Sequence, residues 1–281
     1  MFGLIKVLAI AAVAMPLAHP ASAQTQFPER AIRMVVPYPP GGGMVAVTRS
    51  IAPKVSESIG KPVIVDNRAG GSGFIGIQAV TQAPPDGYTL MTHALGFAVN
   101  PAVYRKLQYD AVKDIQPVAM IGFTPVFIAI NPKLEAKTLT PSKKFTGAPF
   151  GFGASRLMME SFKLQPGIDP PLIPSHGPAP AVLPAMAGET DFVIMDAASV
   201  QQHIVSGSLR GLAVASESRV TALPDMPTTK EAGLPSYVVE FWYAMFTRGG
   251  TPPEIVKKLN AEINKAVMTP EVSGKLQGLG I

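Results

Sequence analysis

The chain has 281 residues, no cysteine, and 24 lysines and arginines against 19 acidic residues, for a formal net charge of +5. The lack of cysteine excludes disulfides, thiol nucleophiles and thiolate metal sites. Its basic residues are scattered in no run longer than a pair, as at Lys143-Lys144 and Lys257-Lys258, which argues against a nucleic-acid patch.

Residues 1–23 read as an export signal. Lys6 gives a positive start, Val7 to Leu17 an apolar run, and Ala21-Ser22-Ala23 a small-residue cleavage site. The run is short and is broken by Pro16 and Pro20, so it is not a membrane span. The mature chain is expected to start at Gln24 and to be exported, with no membrane span of its own. Without Lys6 it keeps 23 basic residues against 19 acidic ones. That balance is compatible with an anionic ligand and does not establish one.

The richest stretch runs from Val35 to Thr92. Met34 to Pro37 is an apolar strand ending in Tyr38-Pro39-Pro40-Gly41-Gly42-Gly43. Met44 to Ile59 follows as a helix with Val47, Ile51, Val55 and Ile59 on one stripe, a kink expected at Pro53, and a stop at Gly60. Val63 to Val65 is a second strand, leading into Asn67-Arg68-Ala69-Gly70-Gly71-Ser72-Gly73 and a short helix from Phe74 to Gln82. Pro84-Pro85-Asp86-Gly87 is a turn, and Tyr88 to Thr92 the next strand. Two glycine loops, each opening onto a helix, let backbone N–H groups approach a small anion.

Leu95 to Leu107 reads as loop and short helix. Val118 to Ile121 and Val126 to Ile130 are strands able to carry the chain from one domain to another. Lys133 to Phe150 has no clear period. Gly151-Phe152-Gly153-Ala154-Ser155 leads into a helix from Arg156 to Lys163, and Pro166 to Pro174 is loop. Ala179 to Ala187 is a short helix, Asp191 to Met195 a buried strand, Ala198 to Ser206 a helix and Leu209 to Ala215 a strand. Tyr237 to Phe246 is an aromatic strand and a candidate return crossing. Thr251-Pro252-Pro253-Glu254 starts a helix with Thr251 as cap and Ile255, Leu259, Ile263 and Ala266 as its buried stripe; Thr269-Pro270-Glu271 starts another. Alternating strands and helices make this an α/β protein with mainly parallel pairing. Ligands in such sheets sit beyond the carboxyl ends of the strands, where both glycine loops lie.

Several segments together resemble the substrate-binding proteins of tripartite tricarboxylate transporters, the Bug family. They are Ile32 to Gly43, Gly60 to Gly76, Ala83 to Leu90, Asn100 to Leu107, Tyr109 to Ile115, Leu223 to Leu234 and Gly250 to Lys265. The resemblance implies a two-lobed periplasmic-binding-protein-like (type II) fold, with two crossing strands and a cleft closing on a small carboxylate for delivery to a membrane permease. It implies lobe 1 over residues 24–122, lobe 2 over 123–240 and a return to lobe 1 over 241–281. It also implies carboxylates held largely by loop amides and waters. The matching loops are Pro40, Gly41, Gly42 and Gly43; Gly70, Gly71, Ser72 and Gly73; Thr92 and His93; and Gly153, Ala154 and Ser155. No cofactor or metal is expected.

The chain departs from the family pattern in places. Met44-Val45 stands where Thr-Asp is usual, and Ser175-His176-Gly177 where Tyr-Lys-Gly is usual. The stretch before Gly151 is shorter, and the family continues past Ile281 with a strand and a long helix. On that comparison the apolar side of the helix over Ile255 to Ala266 is expected to be exposed. A truncated member that does not bind is therefore the first alternative.

Gly71 to Gly76 matches the dinucleotide fingerprint, but the strand ending at Thr92-His93 has no terminal acid, which argues against nucleotide binding. Ser, His and Asp occur without a G-x-S-x-G elbow or metal spacing, which leaves a periplasmic enzyme as the weaker alternative. Asp196 is either a helix cap or a ligand-facing acid that bonds a hydroxyl or amino group. Arg68 is either a carboxylate clamp or the partner of Asp66. Trp242 and Tyr243 face either the cleft or the core.

Overall fold

The computed structural model describes residues 27–135, 145–149, 153–175 and 178–281, with Ser72 described by its backbone alone. The export signal, the segment Lys137 to Lys144, Gly151-Phe152 and His176-Gly177 lie outside the described residues.

Two sheets organise the chain. Strands β1 (Ile32–Val36), β2 (Val63–Asn67), β3 (Thr89–Ala94), β4 (Ile115–Thr124) and β8 (Phe241–Arg248) form the first, in the order β2-β1-β3-β8-β4. Strands β5 (Val126–Ile130), β6 (Phe192–Asp196) and β7 (Arg210–Val214) form the second, in the order β6-β5-β7. β1 pairs parallel with β2 and β3, the parallel core of the first lobe. Antiparallel pairing enters with the strands next to the crossings: β8 lies antiparallel between β3 and β4, and β5 antiparallel between β6 and β7.

Both lobes are three-layered, and the two-residue period of their strands assigns the layers. Helix α1 (Gly43–Ile59), α2 (Phe74–Thr81) and α3 (Gly96–Val103) follow β1, β2 and β3; α7 (Pro253–Val267) and α8 (Pro270–Gly278) follow β8. Met34, Val36 and Leu90 share a core with α1 and α7, whereas Val35 and Met91 share one with α2 and Phe97 of α3. In the second lobe, α4 (Ala154–Lys163) packs with Ile128, Ile130 and Ile194. Helices α5 (Pro178–Ala187) and α6 (Ala197–Val205) share a core with Phe127, Ala129, Val193 and Met195 on the other face. α1 runs on through Pro53 to Gly60, whose left-handed φ of 67° lets its N–H return to the Ser56 carbonyl.

The chain passes between the sheets twice, and the two passages touch. β4 leads into β5 across Pro125, and Thr124 pairs with Phe241, the first residue of β8. The aromatic strand begins there rather than at Tyr237, which stays in the second lobe with its hydroxyl donating to the Met158 carbonyl at 2.9 Å.

Two expectations are corrected. Thr251 does not cap α7: its hydroxyl donates to the Arg248 carbonyl at 2.7 Å, and the cap position is Pro252. Pro252 and Pro253 offer no N–H, so only the Glu254 N–H remains for a Thr251 cap, and the hydroxyl turns back to Arg248 instead. The stripe of α7 is not exposed either. Leu259, Ile263 and Ala266 are buried where α7 packs on α1 and β4. Thr269 does cap α8, accepting from the Val272 N–H.

Candidate functional site

A cavity of about 30 Å³ lies between the lobes at the carboxyl ends of β1, β3 and β6. The first lobe contributes Tyr38, Met44, His93, Ala94, Gly96, Phe241 and Tyr243; the second contributes Ala154, Pro178, Asp196 and Ser199. The volume suits about one water, so a larger molecule enters only when the lobes part.

Five helices begin at this cavity. Met44 belongs to the first turn of α1, Gly96 opens α3, Ala154 opens α4, Pro178 opens α5, and Ser199 lies in the first turn of α6. None of the five has an acidic residue in its first turn, and α1, α3, α4 and α6 make no side-chain cap. The first N–H groups of a helix have no partner within it and carry partial positive charge. Here five helix starts lie round one small space, although α5 opens on Pro178, which has no N–H, and the Ala197 N–H of α6 is already given to the Pro125 carbonyl. Among the described residues no lysine or arginine lines it.

Glycines set how close the lobes come. A Cβ on Gly42 would lie 3.2 Å from Pro178, and one on Gly43 would lie 2.7 Å from the Ala198 Cβ and 2.8 Å from its carbonyl carbon. Across the α3–α4 contact, a Cβ on Gly96 would lie 3.3 Å from the Ala154 nitrogen, and one on Gly153 would lie 3.5 Å from Gly96. Gly43, Gly96 and Gly153 are points where backbone meets backbone, and Gly42 meets the Pro178 ring.

Asp196 ends β6 and is buried. Its Oδ1 accepts from the Tyr243 hydroxyl at 2.7 Å and its Oδ2 from Ser199 Oγ at 3.0 Å. Burial raises its pKa above the usual carboxylate value, and the two hydroxyls work against that shift. Burial, with the charge of Asp196, pushes the Tyr243 phenol well up, so it stays a donor. Asp196 occupies the cap position of α6 but makes no side-chain cap, so its carboxylate turns to the cavity wall instead.

His93 is 2 % exposed, and burial lowers its pKa to about 4, leaving it neutral near pH 7. Nδ1 accepts from the Ala94 N–H at 2.8 Å, while Nε2 has no partner among the described residues. Tyr38 stands edge-on to its ring with centroids 6.1 Å apart.

The structure thus gathers His93, Ala154 and Asp196 on the cavity wall, while Gly42 and Gly153 lie against the lining residues Pro178 and Gly96, and Gly43 lies against Ala198. Ser155 is buried behind Ala154, and Pro40 and Gly41 are exposed outside. Thr92 faces away, accepting from the Thr48 hydroxyl at 2.9 Å under α1. The loop from Gly70 to Gly73 is not brought to the cavity; a Cβ on Gly73 would meet the Tyr38 hydroxyl at 3.4 Å, so Tyr38 stands next to the loop. Arg68 lies on Asp66, with Nε at 2.8 Å from Oδ2. Tyr243 faces the cavity, and Trp242 packs with Phe246 in the other core of the lobe.

Sequence reasoning passed over Tyr38, Ser199 and Phe241. Ser199 carried a signal, three residues after a candidate cap; Tyr38 and Phe241 carried none beyond being aromatic at strand ends.

Comparison with known proteins gives a consistent result. Residues 47–281 match the family model described as the tripartite tricarboxylate transporter family receptor. Protein BugT of Bordetella pertussis is 36% identical over 280 residues, covering 96% of this chain and 86% of its own. MatC from Rhodopseudomonas palustris with bound malate superposes at a TM-score of 0.83 with 30% identity, covering 90% of each chain. Another R. palustris protein, solved with adipate, superposes at 0.86 with 29% identity, covering 90% of this chain and 88% of its own.

Proposed function

The chain belongs to the tripartite tricarboxylate transporter receptor family, and from that premise we propose that it captures a small carboxylate between its lobes for a membrane permease. The fold is the two-lobed periplasmic-binding-protein type, and the family is one of substrate-binding proteins rather than enzymes. Among the described residues no helix is long and apolar enough to cross a membrane. Export through residues 1–23, delivery to a tripartite permease, and lobes meeting at Thr124–Val126 and at Phe241 are parts of the same proposal.

One observation carries the ligand class: five helix N-termini converge on a cavity whose described lining has no cationic side chain. Each helix start favours an anion by about 0.3–1 kcal/mol when exposed and up to about 2 kcal/mol when partly buried. Several together stabilise one or two carboxylates without an arginine. Malate and adipate in two relatives, which are dicarboxylates, agree with this.

The test is thermal unfolding of the purified chain with C4 to C6 dicarboxylates and with their diamides. A ligand bound only by the folded state raises stability by about 2.7 kcal/mol at a hundred times its Kd. At least one dicarboxylate should raise the melting temperature while its diamide does not. An equal response to both removes the anion as the recognised feature.

A further inference from the structure

We propose that His93 is a specificity-determining residue of the interlobe site, its Nε2–H donating a hydrogen bond to a carboxylate oxygen of the ligand. The proposal rests on the carboxylate reading above and adds a side-chain contact to it.

The geometry fixes the tautomer. Nδ1 lies 2.8 Å from the Ala94 N–H, which can only donate, and 3.3 Å from the Ala94 carbonyl. The shorter contact requires an unprotonated Nδ1, so the neutral ring carries its proton on Nε2. Burial keeps the ring neutral. Nε2 is then a buried donor with no partner among the described residues. Such groups are uncommon and costly, and one on a cavity wall calls for an acceptor from a ligand.

Among the described residues no acceptor lies within hydrogen-bond distance of Nε2. Tyr38 and Phe97 flank the ring with centroids at 6.1 and 5.7 Å. The acid on the same cavity, Asp196, already accepts from Tyr243 and Ser199. The surroundings therefore divide the wall: His93 and the helix starts present donors, and Asp196 presents the acceptor. A ligand that placed an amide N–H or an ammonium against Nε2 would set donor against donor, and it would be refused.

Calorimetry with malate, adipate and their monoamides tests this on wild type, His93→Gln and His93→Phe. Glutamine keeps a donor near the Nε2 position and phenylalanine keeps only the ring. His93→Phe should weaken the tightest ligand by about 10- to 100-fold, as for a lost bond to a charged group, and His93→Gln by less than about fivefold. In wild type labelled with 15N-histidine, the His93 signals should show Nε2 protonated, with its proton moving downfield on saturation. Equal affinity of His93→Phe and wild type overturns the proposal while leaving the carboxylate reading in place. An Nδ1–H tautomer, or an Nε2 proton that ignores the ligand, overturns it without any variant. A wild type that binds no acid overturns both.

Discussion

The Tyr243 hydroxyl on β8 donates to Asp196 Oδ1 at the end of β6 at 2.7 Å, a buried bond that runs from one lobe to the other. With Ser199 on the second oxygen, it holds a carboxylate in the joint without a cation. Tyr243→Phe keeps the ring and removes the donor. Loss of a bond to a charged, buried acceptor costs about 1.5–3 kcal/mol, and we expect that loss at pH 7 in urea unfolding. Asp196→Asn keeps an acceptor for Tyr243 and sheds the buried charge, so it should cost far less. A Tyr243→Phe protein as stable as wild type contradicts the reading of this bond.

His93 makes stability depend on pH with a definite sign. Its folded pKa of about 4 lies below the usual 6.5, so the unfolded chain takes the proton first as the pH falls. The contribution is complete above pH 6.5, declines as the pH drops toward 4 and is gone below it, a swing of about 3 kcal/mol. Asp196 has the opposite sign: its raised folded pKa makes stability rise as the pH falls through that value. The difference between wild type and His93→Gln isolates the first effect. We expect the variant to lose less stability between pH 6.5 and 4; parallel curves would show that His93 does not titrate as a buried neutral ring.

Strand periodicity decided what the sequence could show of these residues. Thr92 and His93 are neighbours on β3 and face opposite sides, Thr92 to Thr48 under α1 and His93 to the cavity. A sequence reading finds the pair and cannot say which one faces in. In the glycine run before α1, Gly42 and Gly43 sit at close approaches to the second lobe and Gly41 is exposed, a difference that the repeated residue type does not encode. The Gly70 to Gly73 loop has the same chemistry and stands next to Tyr38, outside the described lining of the cavity, and that placement is tertiary. β8 entering between β3 and β4 brought Tyr243 to Asp196, and no local pattern encodes that insertion. The burial of α7 on α1 and β4 was missed for the same reason.

Gly73 gives a control on the glycine argument. Its φ of 97° lies in the left-handed region, and its helix start is not on the cavity. Gly73→Ala should therefore reduce stability by about 1–3 kcal/mol through backbone strain and leave the affinity for the best dicarboxylate within about twofold. A large loss of affinity without loss of stability would bring this loop into the site.

Ile263 is wholly buried between α1 and β4. Truncation of a buried isoleucine to alanine costs about 2–5 kcal/mol. Ile263→Ala should lower the unfolding free energy by that amount, read as a lower urea midpoint with the slope unchanged. A cost below about 1 kcal/mol would show that α7 is loosely docked.

Gly43→Ala separates closure of the lobes from stability of the fold, because two effects of the same methyl oppose each other. In α1 alone, alanine is better than glycine by up to about 1 kcal/mol, since glycine loses more backbone freedom on folding. In the closed arrangement that methyl lies 2.7 Å from the Ala198 Cβ and 2.8 Å from its carbonyl carbon. Neither contact is with a flexible side chain, so α1 and α6 must separate, and with them the two lobes. Overpacking of this kind costs about 1–3 kcal/mol, which exceeds the helical gain. The strain is relieved whenever the cleft opens, so it falls on closure and not on the fold. We expect a melting temperature equal to or above that of wild type, a larger radius of gyration by small-angle scattering, and affinity for the best dicarboxylate lowered about tenfold. Unchanged scattering together with unchanged affinity would mean that the Gly43–Ala198 contact does not limit closure.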